Sequence, residues 1–136
     1  RDSSTVYACG SIGVLKSVDR GATWNAMNSG LPWAPSQVSG VSSFVIDPDN
    51  SNNAYVAIAG RVFRSTDGAA SWREVNAGWT ARHGSGLAFD PTDPSTLYVG
   101  TSGGGIHAIT FIPETNLNQM VDERRKLNSD GIRSRP

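Results

Sequence analysis

With 136 residues, twelve basic and twelve acidic side chains and no net charge, the chain is long enough for one domain with a real core and too short for two. The charge balance argues against the basic footprint on which nucleic-acid binding depends. No apolar run approaches the roughly 20 residues that span a bilayer, and the start carries no signal-peptide pattern, so any export signal is expected upstream or already removed.

A single cysteine, Cys9, excludes an internal disulfide framework and a thiolate metal cluster. In the apolar stretch VYACG it reads as a small buried strand residue. Fifteen glycines and seven prolines in a chain only 18% charged predict many short strands joined by tight turns.

In chain order, alternation and turn residues predict strands at 5–9 (TVYAC), 13–17 (GVLKS) and 23–27 (TWNAM), then at 42–46, 54–58, 61–65 and 71–75, then at 86–89, 97–101 and 105–112. The same unit recurs along them. Tyr7, Tyr55 and Tyr98 head matching stretches, Trp24 and Trp72 end two matching boxes, and VIDPDNSNNAYV parallels AFDPTDPSTLYV. The spacings are 48 (Tyr7 to Tyr55, Trp24 to Trp72) and 43 (Tyr55 to Tyr98, Asp47 to Asp90), the period of a four-stranded propeller blade.

The expected fold is therefore all-β: a partial β-propeller over 1–112 with about three four-stranded antiparallel blades. The first lacks its first strand and the last lacks its fourth. Propellers close with four to eight blades, so further blades are expected from a longer parent chain or from other subunits, and a start in mid-blade favours the longer chain. From 113 to 136 the sequence is polar and highly charged and reads as a tail, with a short helix at 117–127 that Asn116 and Gln119 cap. The basic run Arg124 to Lys126 adjoins Asp122 and Glu123 and reads as a solvated face.

The boxes SVDRGATW (17–24) and STDGAASW (65–72) resemble the Asp-box, or BNR repeat, of sialidases, xyloglucanase-type glycoside hydrolases, sortilin-type receptors and a photosystem assembly factor. Ser17, Asp19, Gly21 and Trp24 match it fully. Ser65, Asp67 and Trp72 match, but Ala69 stands at the glycine position with Gly68 one place early, so the second turn is expected to differ in detail. The resemblance covers roughly 3–112 and implies a propeller in which the boxes are structural and lie away from any active site. The chemistry agrees: an aspartate at a hairpin corner accepts bonds from its own turn, and such a carboxylate is occupied by structure. Asp47 and Asp90 open Asp-Pro turns, and DPDNSNN lacks the spacing and terminal glutamate of an EF-hand loop. No cofactor, metal or catalytic residue is assigned.

In an antiparallel meander the boxes and Asp-Pro turns share one end of each blade, and the remaining loops share the other. That other end collects the ligand-binding candidates Trp33, Trp79, Arg61, Arg82 and His83. The two tryptophans either pack between adjacent blades or contact a sugar ring or a protein. His83 otherwise reads as a solvent-facing loop residue, and His107 as structural. Three functions follow: a non-catalytic propeller portion binding protein or glycan through this loop end; a fragment of a xyloglucanase-like or sialidase-like hydrolase; or a structural subunit assembling through its incomplete blades. Asp-box proteins are mostly exported, which implies a secreted or periplasmic location.

Overall fold

The computed structural model describes residues 4–32, 40–75 and 84–111. The strands are β1 (Val6–Gly10), β2 (Gly13–Ser17), β3 (Asn25–Ala26), β4 (Val41–Ile46), β5 (Ala54–Ile58), β6 (Arg61–Ser65), β7 (Arg73–Glu74), β8 (Gly84–Phe89), β9 (Thr96–Thr101) and β10 (Gly105–Thr110). They form three antiparallel meanders in the orders β1-β2-β3, β4-β5-β6-β7 and β8-β9-β10. Three, four and three strands are thus paired as the repeat predicts. The last strand of each of the first two sheets is shorter than its apolar pattern, because only two residues of β3 and of β7 pair with their neighbours. The tail lies outside the described residues, among which no helix occurs.

The repeat reaches into details of the backbone. The registers of β4 with β5 and of β8 with β9 both slip, between Val41 and Ser43 and between Gly84 and Gly86. These bulges fall at corresponding positions, each re-aiming the strand where a loop enters the sheet. The Asp-Pro turns also match: Asp47 N donates to Asn53 O at 3.0 Å, and Asp90 N to Thr96 O at 2.9 Å.

Two apolar layers hold the sheets together. Side chains alternate across a strand, so β5 sends Ala54, Val56 and Ile58 to one face and Tyr55 and Ala57 to the other. The first set joins Phe63, Ala69 and Trp72 against Val14 and Leu31 of the preceding repeat, with Tyr7, Met27 and Phe44 packed alongside. The second set joins Val62 against Leu87, Leu97 and Val99 of the following repeat. Every residue of β5 is buried, as expected of a strand covered on both faces.

The outer sheets lack one such neighbour among the described residues, and their exposures show it. Trp72 is 4% exposed, while its counterpart Trp24 is 41% exposed. Tyr55 and Val62 are 1% and 0% exposed, while Tyr98 and Ile106, at the matching register positions of β9 and β10, are 40% and 77% exposed. Cys9, expected to be buried, is exposed on β1, which has no pairing strand on its far side among the described residues. Partial burial still raises its thiol pKa, which disfavours the reactive thiolate.

The difference between the two tryptophans is testable. Trp72→Ala removes a ring from a packed layer and should lower unfolding free energy by about 3–5 kcal/mol, whereas Trp24→Ala, at a half-exposed site, should cost under about 1 kcal/mol. Denaturant titration of both variants measures the contrast, and equal costs would contradict it.

Candidate functional site

Both aspartate boxes fold into the same closed turn. Ser17 Oγ donates to Asp19 Oδ1 at 2.7 Å and accepts from Asp19 N at 3.3 Å and Gly21 N at 2.8 Å. Asp19 Oδ1 also accepts from Thr23 N at 2.8 Å, and its Oδ2 accepts from Thr23 Oγ1 at 2.6 Å. The second copy repeats each bond. Ser65 Oγ donates to Asp67 Oδ1 at 2.7 Å and accepts from Asp67 N and Ala69 N at 3.3 and 2.9 Å. Ser71 N and Ser71 Oγ reach Asp67 Oδ1 and Oδ2 at 2.9 and 2.6 Å.

The expected difference between the two turns does not occur. Arg20 and Gly21 have φ of 60° and 91°, and Gly68 and Ala69 have φ of 70° and 74°. The turn needs two successive left-handed residues, and each copy supplies glycine at only one of them. The turn's bonds, Ala69 N to Ser65 Oγ in one copy and Arg20 N to Ser4 O with Gly21 N to Ser17 Oγ in the other, hold alanine and arginine in a conformation that L residues disfavour. Thr23 and Ser71, absent from the sequence-based site set, complete the carboxylate cage. Their signal was a hydroxyl directly before each box tryptophan.

The tryptophans diverge with their surroundings. Trp72 reaches into the preceding repeat, its Nε1 donating to Met27 O at 2.8 Å and its backbone N to Ser29 O at 2.9 Å. Trp24 folds back on its own turn, Nε1 donating to Gly21 O at 3.0 Å.

Asp47 and Asp90, which open the two Asp-Pro turns, are occupied in the same way. Asp47 accepts from Asp49 N, Asn50 N and Asn53 Nδ2 at 2.9, 3.2 and 3.0 Å. Asp90 accepts from Thr92 N, Thr92 Oγ1 and Asp93 N at 2.8, 2.7 and 3.1 Å, and from Tyr98 OH at 3.0 Å. Hydroxyl donors, ahead of backbone amides, hold Asp19, Asp67 and Asp90 down to about 2 and lower Asp93 as well. Glu74 is lowered by its hydrogen bond from Arg61.

At the opposite end of the middle sheet, Arg61 follows the left-handed pair Ala59 and Gly60, lies over the Phe63 ring at 5.2 Å and is ion-paired with Glu74. Its charge is thus compensated within the sheet. Trp33, Trp79, Arg82 and His83 lie outside the described residues. His107 is half-buried in β10, opposite Val99.

The sequence matches no protein-family model and no curated protein significantly. Solved structures are similar in fold. One is a crystal structure of an ancestral GH74 enzyme, at TM-score 0.61 and 19% identity, covering 79% of this chain and 16% of that one. Another is YCF48 bound to D1 peptide, at TM-score 0.57 and 15% identity, covering 79% of this chain and 34% of that one. The chain thus spans well under half the length of either.

The turn carboxylates make stability depend on acid. The folded value of about 2 for Asp19 and Asp67 lies below their ordinary 3.8, so ionised carboxylates favour the folded form at and above neutral pH. That contribution declines as the pH falls below about 4 and is lost through about 2. The urea midpoint should drop across this window, and Asp19→Asn combined with Asp67→Asn should flatten the slope while leaving the part due to Asp90. An unchanged slope would assign the acid sensitivity elsewhere. All these observations meet in one conclusion: the chain has the fold of part of a β-propeller, with blades closed at one end by aspartate-centred turns.

Proposed function

We propose that this chain is a non-catalytic portion of an Asp-box propeller that binds a polypeptide or glycan through the loop end opposite the boxes. The observation carrying this reading is the state of the carboxylates. Of the described carboxylates other than Asp49, Asp19, Asp47, Asp67, Asp90 and Asp93 each accept bonds from their own turns, and Glu74 is ion-paired. Glycoside hydrolysis needs two carboxyl groups roughly 5–10 Å apart across a cleft, one of them kept protonated by a raised pKa. The shifts found for Asp19, Asp67, Glu74, Asp90 and Asp93 run the other way.

The loop end is favoured because parity places there every connection that carries neither a box nor an Asp-Pro turn. In this reading Trp33 and Trp79 would offer it large rigid surfaces, and Arg82 and His83 hydrogen-bond donors. The bound peptide of the similar YCF48 structure supports a polypeptide ligand, and the GH74 likeness keeps a hydrolase parent, with its catalytic groups in other blades, as the second reading. The exposed Trp24, Tyr98 and Ile106, whose middle-blade counterparts are covered, support completion by further blades of a longer chain or of other copies. A secreted or periplasmic setting belongs to the same reading.

Glycan and peptide arrays with the purified chain, alongside a reducing-sugar assay, test the proposal. Binding should be lost in a Trp33→Ala, Trp79→Ala double variant that melts as the parent does, with no sugar released by either. Unchanged binding would remove the loop end as the site, and sugar release by the chain itself would overturn the non-catalytic reading.

A further inference from the structure

The three repeats share one backbone bond at the box end of the blades. Arg20 N donates to Ser4 O at 2.9 Å, Gly68 N to Asn52 O at 2.9 Å and Phe111 N to Ser95 O at 2.8 Å. The three donors hold one position in the repeat, yet their side chains differ completely. At the junction of the second and third blades, Phe111 fills the space between sheets. Its ring centre is 4.9 Å from that of Tyr55, and the Arg64 guanidinium lies 5.2 Å from it.

At the junction of the first and second blades, Tyr7 and Lys16 stand where Tyr55 and Arg64 stand, and Gly68 stands where Phe111 does. The missing side chain leaves a cavity of about 270 Å³, lined by Thr5, Tyr7, Lys16, Ile46, Asn52 and Gly68 with Ser51 beside them. An apolar cavity of roughly 150 Å³ is enough to hold a benzene ring. A Cβ built on Gly68 would lie 3.2 Å from Lys16 Nζ, a contact tight enough that the lysine end must give way, so the cation borders the place a side chain here would take.

The groups around the cavity are only partly occupied. Lys16 Nζ donates to Gly68 O at 2.9 Å, one of its three donor positions, and sits 5.5 Å from the Tyr7 ring centre. Tyr7 OH reaches the same carbonyl at 3.3 Å. Lys16 makes no ion pair with a carboxylate among the described residues. Ser51 and Asn52, both exposed, rim the opening with hydroxyl and amide groups that suit a peptide backbone.

We infer that this cavity binds an aromatic side chain of a partner polypeptide with an acidic residue next to it. The ring takes the place that Phe111 takes at the second junction, and the carboxylate meets Lys16. The site lies at the end opposite the loop face proposed above and stands independently of it.

Amide NMR titration of the full chain with acetyl-Phe-Glu-amide tests this. Saturable shifts should centre on Gly68, Asn52 and Lys16. Acetyl-Ala-Glu-amide should give none, and acetyl-Phe-Gln-amide should bind about tenfold more weakly, as should the parent dipeptide to Lys16→Met, since each loses one charge-assisted bond. Gly68→Phe should abolish binding by filling the cavity. Because Gly68 has a φ of 70°, that variant is scored only if its spectrum is native, and Lys16→Met decides otherwise. No saturable shift at these amides, or equal binding by the glutamine dipeptide and by Lys16→Met, would overturn the assignment. Phenylacetate binding as tightly as the dipeptide would overturn the polypeptide as its source.

Discussion

A four-stranded sheet with apolar residues on both faces has no stable existence alone, and everything in this chain follows from that constraint. The central strand β5 is buried on both sides because the preceding repeat covers Val56 and the following repeat covers Tyr55. Burial of this kind, at about 25 cal/mol per Å² of apolar surface, is the main term favouring the fold. It is available only where blades stack. The same residue types in the outer blades, Trp24 and Tyr98, stay in contact with solvent, so stacking and not composition decides their burial.

The turns serve that stacking. Each box carboxylate gathers a serine hydroxyl, a backbone amide and a second hydroxyl, which fixes where the chain leaves the third strand. In the second copy this delivers Trp72 into the preceding repeat, bonded to Met27 O and Ser29 O. The left-handed Ala69 and Arg20 show that these bonds outweigh the local preference against such a backbone. An aspartate held in this way is a fastener, and its lowered pKa is a consequence of the fastening.

Much of this was legible in the sequence, because side-chain alternation and turn chemistry are local. The period of 43 to 48 residues places all ten strands, and β5 and β6 match the predicted spans 54–58 and 61–65 to the residue. What was not legible depends on neighbours. The repeat count already makes the first strand an edge, but the apolar stretch VYACG suggests a buried Cys9, and its exposure is set by what packs on that strand. The matching backbone of the two box turns depends on hydrogen bonds strong enough to place Ala69 at positive φ, which no propensity anticipates. The cavity beside Lys16 emerges only when Gly68 and Phe111 are recognised as one position by their shared bond. The loop-end candidates Trp33, Trp79, Arg82 and His83 remain an argument from strand parity.

The central claim is that stability resides at the blade junctions, and site-resolved amide hydrogen exchange tests it most directly. The amides of β5 and β6, within the doubly covered middle blade, should exchange slowest, at rates approaching those of global unfolding. Those of β1 and β10, each with one side uncovered among the described residues, should exchange by local opening at much lower free energy. Uniform protection across the three blades, or greatest protection in an outer one, would contradict the account.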